Sequence, residues 1–189
     1  MKEGLAARIG QGGVIAAAAK VFARHGFADT RVEDILAEAG VARRTFYKYF
    51  SSKEDVLAAV YELATGELVK AMRDARGGEP IVAVRHGLDL FLDYHVENAA
   101  LLRVLVEQAM LSDSPLAAAR RRFREDLVQL LDAAVRATTG ESHDPILYLA
   151  LLSALEGVSL ELFASDVTPA HVARAKKAMH LLLERVVAR

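Results

Sequence analysis

The sequence predicts an all-α protein, and three observations carry that prediction. Helix-forming residues dominate a chain of 189 residues that is 53% apolar. No run of strand length alternates apolar with polar side chains. The only four prolines, Pro80, Pro115, Pro145 and Pro169, divide the chain beyond residue 79 into four long periodic segments. In Ser114-Pro115, Asp144-Pro145 and Thr168-Pro169 a capping residue stands just ahead of the proline. That order predicts three helix starts, because a proline in the first helical turn lacks an N–H that would be unpaired anyway.

The elements follow in order. Val14, Ala17, Ala18, Val21 and Phe22 recur at three- and four-residue spacing until Gly26 stops a first helix. Thr30 followed by Glu33 predicts a capping box opening a second helix, Val32 to Ala39, which Gly40 closes. A third helix must begin within about two residues, and two short helices around such a glycine turn make a helix-turn-helix. Ser52 with Asp55 repeats the capping pattern and starts a fourth helix. After Pro80, Ile81, Val84, Leu88, Phe91 and His95 form an apolar stripe that ends on a histidine. Pro145 to Phe163 is apolar nearly all round, and Val172, Ala175, Met179, Leu182 and Val186 line one side of the last segment.

A chain of this length buries roughly 70% of the surface it exposes when unfolded, so its core needs neither disulfide nor metal. It has no cysteine, which removes thiol nucleophiles and thiolate metal sites and agrees with a reducing, cytoplasmic location. The apolar run Val14 to Ala19 is shorter than the ~7 to 15 residues of a signal-peptide core. Ile146 to Leu155 runs only ten residues before Glu156, against about 18 for a membrane span, and predicts a buried helix with no membrane partner. His86, Asp89 and Asp93 share a helix face, but a solvated face fits them better than a metal site, and no HExxH helix is present. No nucleophile elbow, phosphate loop or dinucleotide fingerprint appears. The expectation is a protein that is not an enzyme and uses no cofactor and no metal.

The net charge of −1 hides an uneven distribution. Residues 1–57 hold 9 basic and 7 acidic side chains, whereas residues 58–189 hold 15 and 18. From Ala39 to Ser52 there is no acidic residue at all. Within that stretch Val41, Phe46 and Phe50 can share an inward face, leaving Arg43, Arg44, Thr45, Tyr47, Lys48 and Tyr49 outside. Arginine pairs bidentately with guanine O6 and N7, and Thr, Tyr and Lys suit phosphate oxygens or a thymine methyl. The helix starts near Thr30 and Lys53 would add phosphate clamps. A short basic face can also be merely solvated, but its place in a glycine-turned tri-helical unit favours recognition.

Val14-Ile15, Ala17-Ala18, Val21-Phe22, Gly26-Phe27, Thr30, Val32-Glu33-Asp34-Ile35, Ala39-Gly40-Val41, Thr45-Phe46-Tyr47, Phe50 and Ser52-Lys53-Glu54 together resemble the N-terminal signature of the TetR family of bacterial transcriptional regulators. The resemblance implies a homodimeric repressor that binds a palindromic operator in double-stranded DNA. It also implies a helix-turn-helix domain over residues 1–57 and a ligand-binding and dimerisation domain over residues 58–189, where a small, hydrophobic effector would release the DNA. Thr45 and the flanking arginines would face base edges, and Thr30, Tyr47, Tyr49 and Lys53 would hold phosphates. Three positions depart from the pattern: Ala42 replaces a Ser or Thr cap, Arg44 a frequent glycine, and Arg31 a Thr or Ser, adding a further candidate DNA contact.

For the second domain, Phe91, His95, Glu107, Gln108, Phe123 and Tyr148 are candidate effector contacts, since pockets combine apolar walls with few polar anchors. His95 has a competing reading as a core histidine bonded to a neighbour. A helix without a polar face must be covered on every side. Ala150, Ala154, Gly157 and Glu161 on one such helix, with Val172, Met179, Leu182 and Val186 on the last, are therefore the candidate dimer seam.

Overall fold

The computed structural model describes residues 5–74, 78–164 and 167–187. Among these residues there are nine α-helices and no strand: α1 Leu5–His25, α2 Val32–Ala39, α3 Arg43–Tyr49, α4 Lys53–Asp74, α5 Pro80–Glu97, α6 Ala99–Ala109, α7 Ala117–Thr139, α8 Pro145–Ala164 and α9 Pro169–Val187. They fall into two compact units, one running to Ala64 and including Ala100–Arg120, the other comprising Thr65–Ala99 and the chain from Arg121 onward.

In the first unit α1, α2 and α3 pack on one another around Val14, Ala18, Val21, Phe22, Ile35, Phe46 and Phe50, all buried. Gly26 and Gly40 have φ of 75° and 64°, in the left-handed region that only glycine enters without strain. The helix stops expected at both are therefore present, and after Gly40 the Val41 N–H closes on the Leu36 carbonyl at 3.3 Å. α2 has the expected bounds, Val32–Ala39, but its cap lies one residue later than expected. Arg31 is its capping residue, and the Asp34 carboxylate accepts the Arg31 N–H at 2.8 Å. Thr30 instead turns inward, and its hydroxyl donates to the Gly26 carbonyl at 2.6 Å. At α4, Ser52 caps as expected, its hydroxyl accepting the Asp55 N–H at 3.1 Å. The return bonds to the Asp55 carboxylate come from the hydroxyl and N–H of Ser51, and they hold that carboxyl below its ordinary range.

In the second unit α5, α8 and α9 pack together. Pro80, Pro145 and Pro169 each open a helix. Asp144 and Thr168 cap theirs, accepting the N–H groups of Ile146 at 2.9 Å and His171 at 3.3 Å. Pro115 differs: Ser114 accepts the Leu116 N–H at 3.0 Å within a turn, and α7 begins only at Ala117. The segment after Pro80 also breaks, because α5 ends on Asn98, whose N–H and side-chain amide both close on the Tyr94 carbonyl. Across α5 and α9 three pairs repeat at four-residue intervals in antiparallel register. Arg85 meets Glu184, Asp93 meets Lys176 at 2.7 Å, and Asp89 lies 2.9 Å from His180, outside aligned hydrogen-bond geometry.

α8 covers the apolar segment expected from Pro145 to Phe163. The helix continues past Glu156, and Pro145–Phe163 is long and apolar enough to cross a membrane by length and composition, with 39% of that stretch buried. Glu156 lies within the helix, where glutamate is well tolerated, and pairs with Arg124 of α7 at 3.2 Å.

Candidate functional site

The third helix presents its polar face as expected. Phe46 is fully buried and Phe50 nearly so, which fixes the rotation of α3 and leaves Arg43, Arg44, Tyr47 and Lys48 exposed, with Thr45 half-buried. Arg31 is exposed at the start of α2. Ala42 precedes α3 in an extended conformation and offers no side-chain cap, so the first N–H groups of the helix lack a side-chain partner. Arg43 is the most constrained of the cations. It pairs with Glu33 of α2, reaches the Tyr47 hydroxyl at 3.4 Å, and sets its guanidinium carbon 5.4 Å from the centre of that ring.

Three of the expected DNA contacts turn inward. Thr30 is 2% exposed and its hydroxyl proton is spent on Gly26, so it has no donor left for a phosphate. The Lys53 ammonium donates to the carbonyls of Phe27 at 2.7 Å and Thr30 at 2.8 Å, with Ala28 at 3.4 Å, and sits 4.2 Å over the Phe27 ring. An ammonium has three donors, and here all three face the turn between α1 and α2. Tyr49 is half-buried and folds against α1, where a Cβ on Gly10 would come within 3.0 Å of its hydroxyl. Thr30 and Lys53 brace the unit, because the turn between α1 and α2 leaves carbonyls that their side chains satisfy.

The second unit contains a cavity of about 240 Å³ lined by hydrocarbon. Ala83, Val84, Gly87 and Leu88 of α5 form one wall, Leu127, Leu131, Ala134 and Ala137 of α7 another, and Met72, Leu152 and Leu155 close it. The void arises where small side chains on α5 and α7 face each other, so that leucines alone cannot fill the space. None of the six expected effector contacts lines it. Phe91 and His95 are buried and stacked, with centroids 4.1 Å apart, and the His95 Nδ1–H donates to the Phe91 carbonyl at 2.7 Å. Phe163 also stacks on it at 5.9 Å, so His95 is the core histidine of the alternative reading. Burial pushes its pKa down to about 4. Tyr148 is buried and donates to Asp132 while accepting the His143 N–H, both at 3.2 Å. Phe123 is core, and Glu107 and Gln108 belong to the other unit. The glycine and alanine positions of α5 and α7 were the sequence signal for the cavity.

The candidate seam residues divide. On α8, Ala150, Gly157 and Glu161 are exposed and Ala154 is half-buried, alongside Ile146 at 62% exposure. On α9, Leu182 is exposed and Val172 and Val186 are half-buried, whereas Met179 is wholly buried in the chain's own core and so is unavailable to a second chain. Leu181, beside Leu182, joins the exposed side.

Residues 14–60 match the bacterial regulatory proteins, tetR family. An HTH-type transcriptional repressor of Streptomyces coelicolor is 33% identical over 99 residues, covering 51% of this chain and 48% of that protein. A fatty acid metabolism regulator protein of Bacillus subtilis is 36% identical over 61 residues, 32% of this chain and 31% of the relative. The chain thus matches about half or less of the length of these curated relatives. Its fold is that of the solved fatty acid degradation regulator FadR from Bacillus halodurans, with a TM-score of 0.78 and 23% identity over 97% of both chains. The likeness to the tetR family of bacterial regulatory proteins thus lies in residues 14–60, the helix-turn-helix unit, while the fold along the rest of the chain is shared with solved regulators.

Proposed function

We propose that the chain is a ligand-responsive transcriptional regulator, a repressor that binds a palindromic operator as a homodimer and leaves it when a small hydrophobic effector binds. Residues 1–57 act as the reading head and residues 58–189 as the effector and dimerisation domain, and the protein works in the cytoplasm. The observation that carries the reading is α3, a helix of a helix-turn-helix with a buried aromatic face and an exposed cationic one. Arg43, Arg44 and Thr45 read base edges, while Arg31, Tyr47 and Lys48 hold phosphates. The exposed apolar row of α8 and α9 forms the seam, which sets the two heads about 34 to 36 Å apart or at a multiple of it.

The cavity supports the effector class. It exceeds the ~150 Å³ apolar void that takes up benzene, and no charged side chain lines it. An uncharged hydrocarbon or the tail of an acyl compound fits, in keeping with the fatty acid regulators among the Bacillus relatives. An effector can shift only an equilibrium between states it binds unequally, and operator DNA must weaken effector binding by the same factor.

The test is selection of duplexes from a randomised pool, then titration of the selected duplex with octane or octanoate present. Retention of a palindrome, its loss with Arg43→Ala, and its release by the probe are expected. A chain that selects no duplex, or that sediments as a monomer at micromolar concentration, refutes the reading.

A further inference from the structure

The three exposed cations of α3 are not equivalent. Lys48 sets its ammonium 5.3 Å over the Tyr49 ring. Arg44 makes no ion pair or ring contact among the described residues. Arg43 is tied down, its Nη1 on the Glu33 carboxylate at 2.5 Å and its Nη2 at the Tyr47 hydroxyl. Glu33 is an odd neighbour for a DNA-reading helix. The other nearby carboxylates serve the fold: Asp34 receives the Arg31 N–H, Glu38 pairs with Lys20 and Arg24, and Asp55 receives Ser51. Among the described residues Glu33 pairs with Arg43 alone, and the two side chains are 59% and 63% exposed. An ion pair that open to water adds little to stability, and an anion beside a phosphate backbone opposes binding.

We propose that Glu33 is a specificity-determining residue that acts by positioning Arg43. It occupies one arm of the guanidinium fork while Tyr47 steadies the other. A phosphate can also take the guanidinium bidentately, but its negative charge must then approach the Glu33 carboxylate, which repels it, whereas an uncharged base edge meets no such repulsion. A guanine edge offers O6 and N7 together and replaces both contacts with a bidentate pair. Glu33 thus withholds Arg43 from arbitrary sequence and yields it to the matching base. The inference rests on the DNA-binding reading and adds to it a residue that touches no base.

The experiment compares wild type, Glu33→Gln, Glu33→Ala, Arg43→Ala and the Glu33→Gln/Arg43→Ala double variant, all full-length. Each is titrated by fluorescence anisotropy, over a range of salt, with the duplex that wild type selects from a random pool and with an unselected random duplex. Both Glu33 variants should bind the random duplex tighter by about 3- to 10-fold, with the slope of log K against log salt steeper by roughly 0.9, one added phosphate contact. Affinity for the selected duplex should change less than about twofold, so the ratio between duplexes falls. The gain should vanish in the Arg43→Ala background. Equal effects on both duplexes with an unchanged slope, or a gain that survives Arg43→Ala, would overturn the proposal. A wild type that binds neither duplex at low salt overturns the DNA-binding reading and this inference with it, an outcome distinct from a wild type that binds and a Glu33 variant that matches it. Unchanged thermal midpoints confirm that the variants are folded.

Discussion

Replacing Lys53 with methionine separates a brace from a phosphate clamp. Methionine keeps the length and apolar stem of lysine but removes the ammonium that closes on the Phe27 and Thr30 carbonyls. A hydrogen bond to a charged group contributes about 1.5–3 kcal/mol, and the contact with the Phe27 ring about 0.5–2 kcal/mol. These terms overlap and the site is half-exposed, so a combined loss of roughly 2–4 kcal/mol is expected. With a urea slope of about 2 kcal/mol/M, the midpoint should fall by about 1–2 M. Circular dichroism against urea measures that shift. The second measurement is the salt dependence of duplex binding at a temperature where the variant is folded. Lys53→Met should keep the wild-type slope, because its donors face carbonyls, whereas Lys48→Ala should lower the slope by about 0.9. A Lys53→Met chain with an unmoved urea midpoint and a slope lower by about one would show that the ammonium serves a phosphate.

His95 predicts a pH dependence of stability. Its folded pKa of about 4 lies below the ordinary 6.5, so the unfolded chain binds the extra proton first. Its full contribution is present above pH 6.5 and is lost as pH falls towards 4, by about 3 kcal/mol in all. His95→Phe, which keeps the stack with Phe91 and Phe163, should lose less stability between pH 7.5 and 4.5 in parallel urea titrations; an identical loss would exonerate the histidine. Ala42→Ser supplies the cap that α3 lacks and should add about 0.5–1 kcal/mol to the head, read as a higher urea midpoint with no change in the duplex selected. A lower midpoint would mean that the α2–α3 turn cannot accept a hydroxyl there.

Local rules were legible in the sequence wherever one residue type decides the outcome. Gly26 and Gly40 mark left-handed turns, Pro145 and Pro169 mark first turns, and the Phe46 and Phe50 spacing sets which side of α3 faces out. Caps that depend on a rival partner were not legible. Thr30 followed by Glu33 fits a capping pattern as well as Arg31 followed by Asp34 does, and the choice falls to the Gly26 carbonyl that captures the Thr30 hydroxyl. The end of α5 at Asn98 carries no proline or glycine to announce it.

Sequence by itself determined the class of the fold and the cationic helix, because each follows from neighbours three or four positions apart along one chain segment. Only the tertiary structure decided which of those candidate groups are spent inside the protein. Lys53 and Thr30 are consumed by carbonyls of the α1–α2 turn, His95 by the Phe91 carbonyl, and Met179 by the core, while Glu33 reaches across from α2 to hold Arg43. The cavity likewise exists only where the small residues of α5 and α7 come to face each other. A side chain's chemistry is written in its type, but whether that chemistry remains available depends on which helix packs beside it.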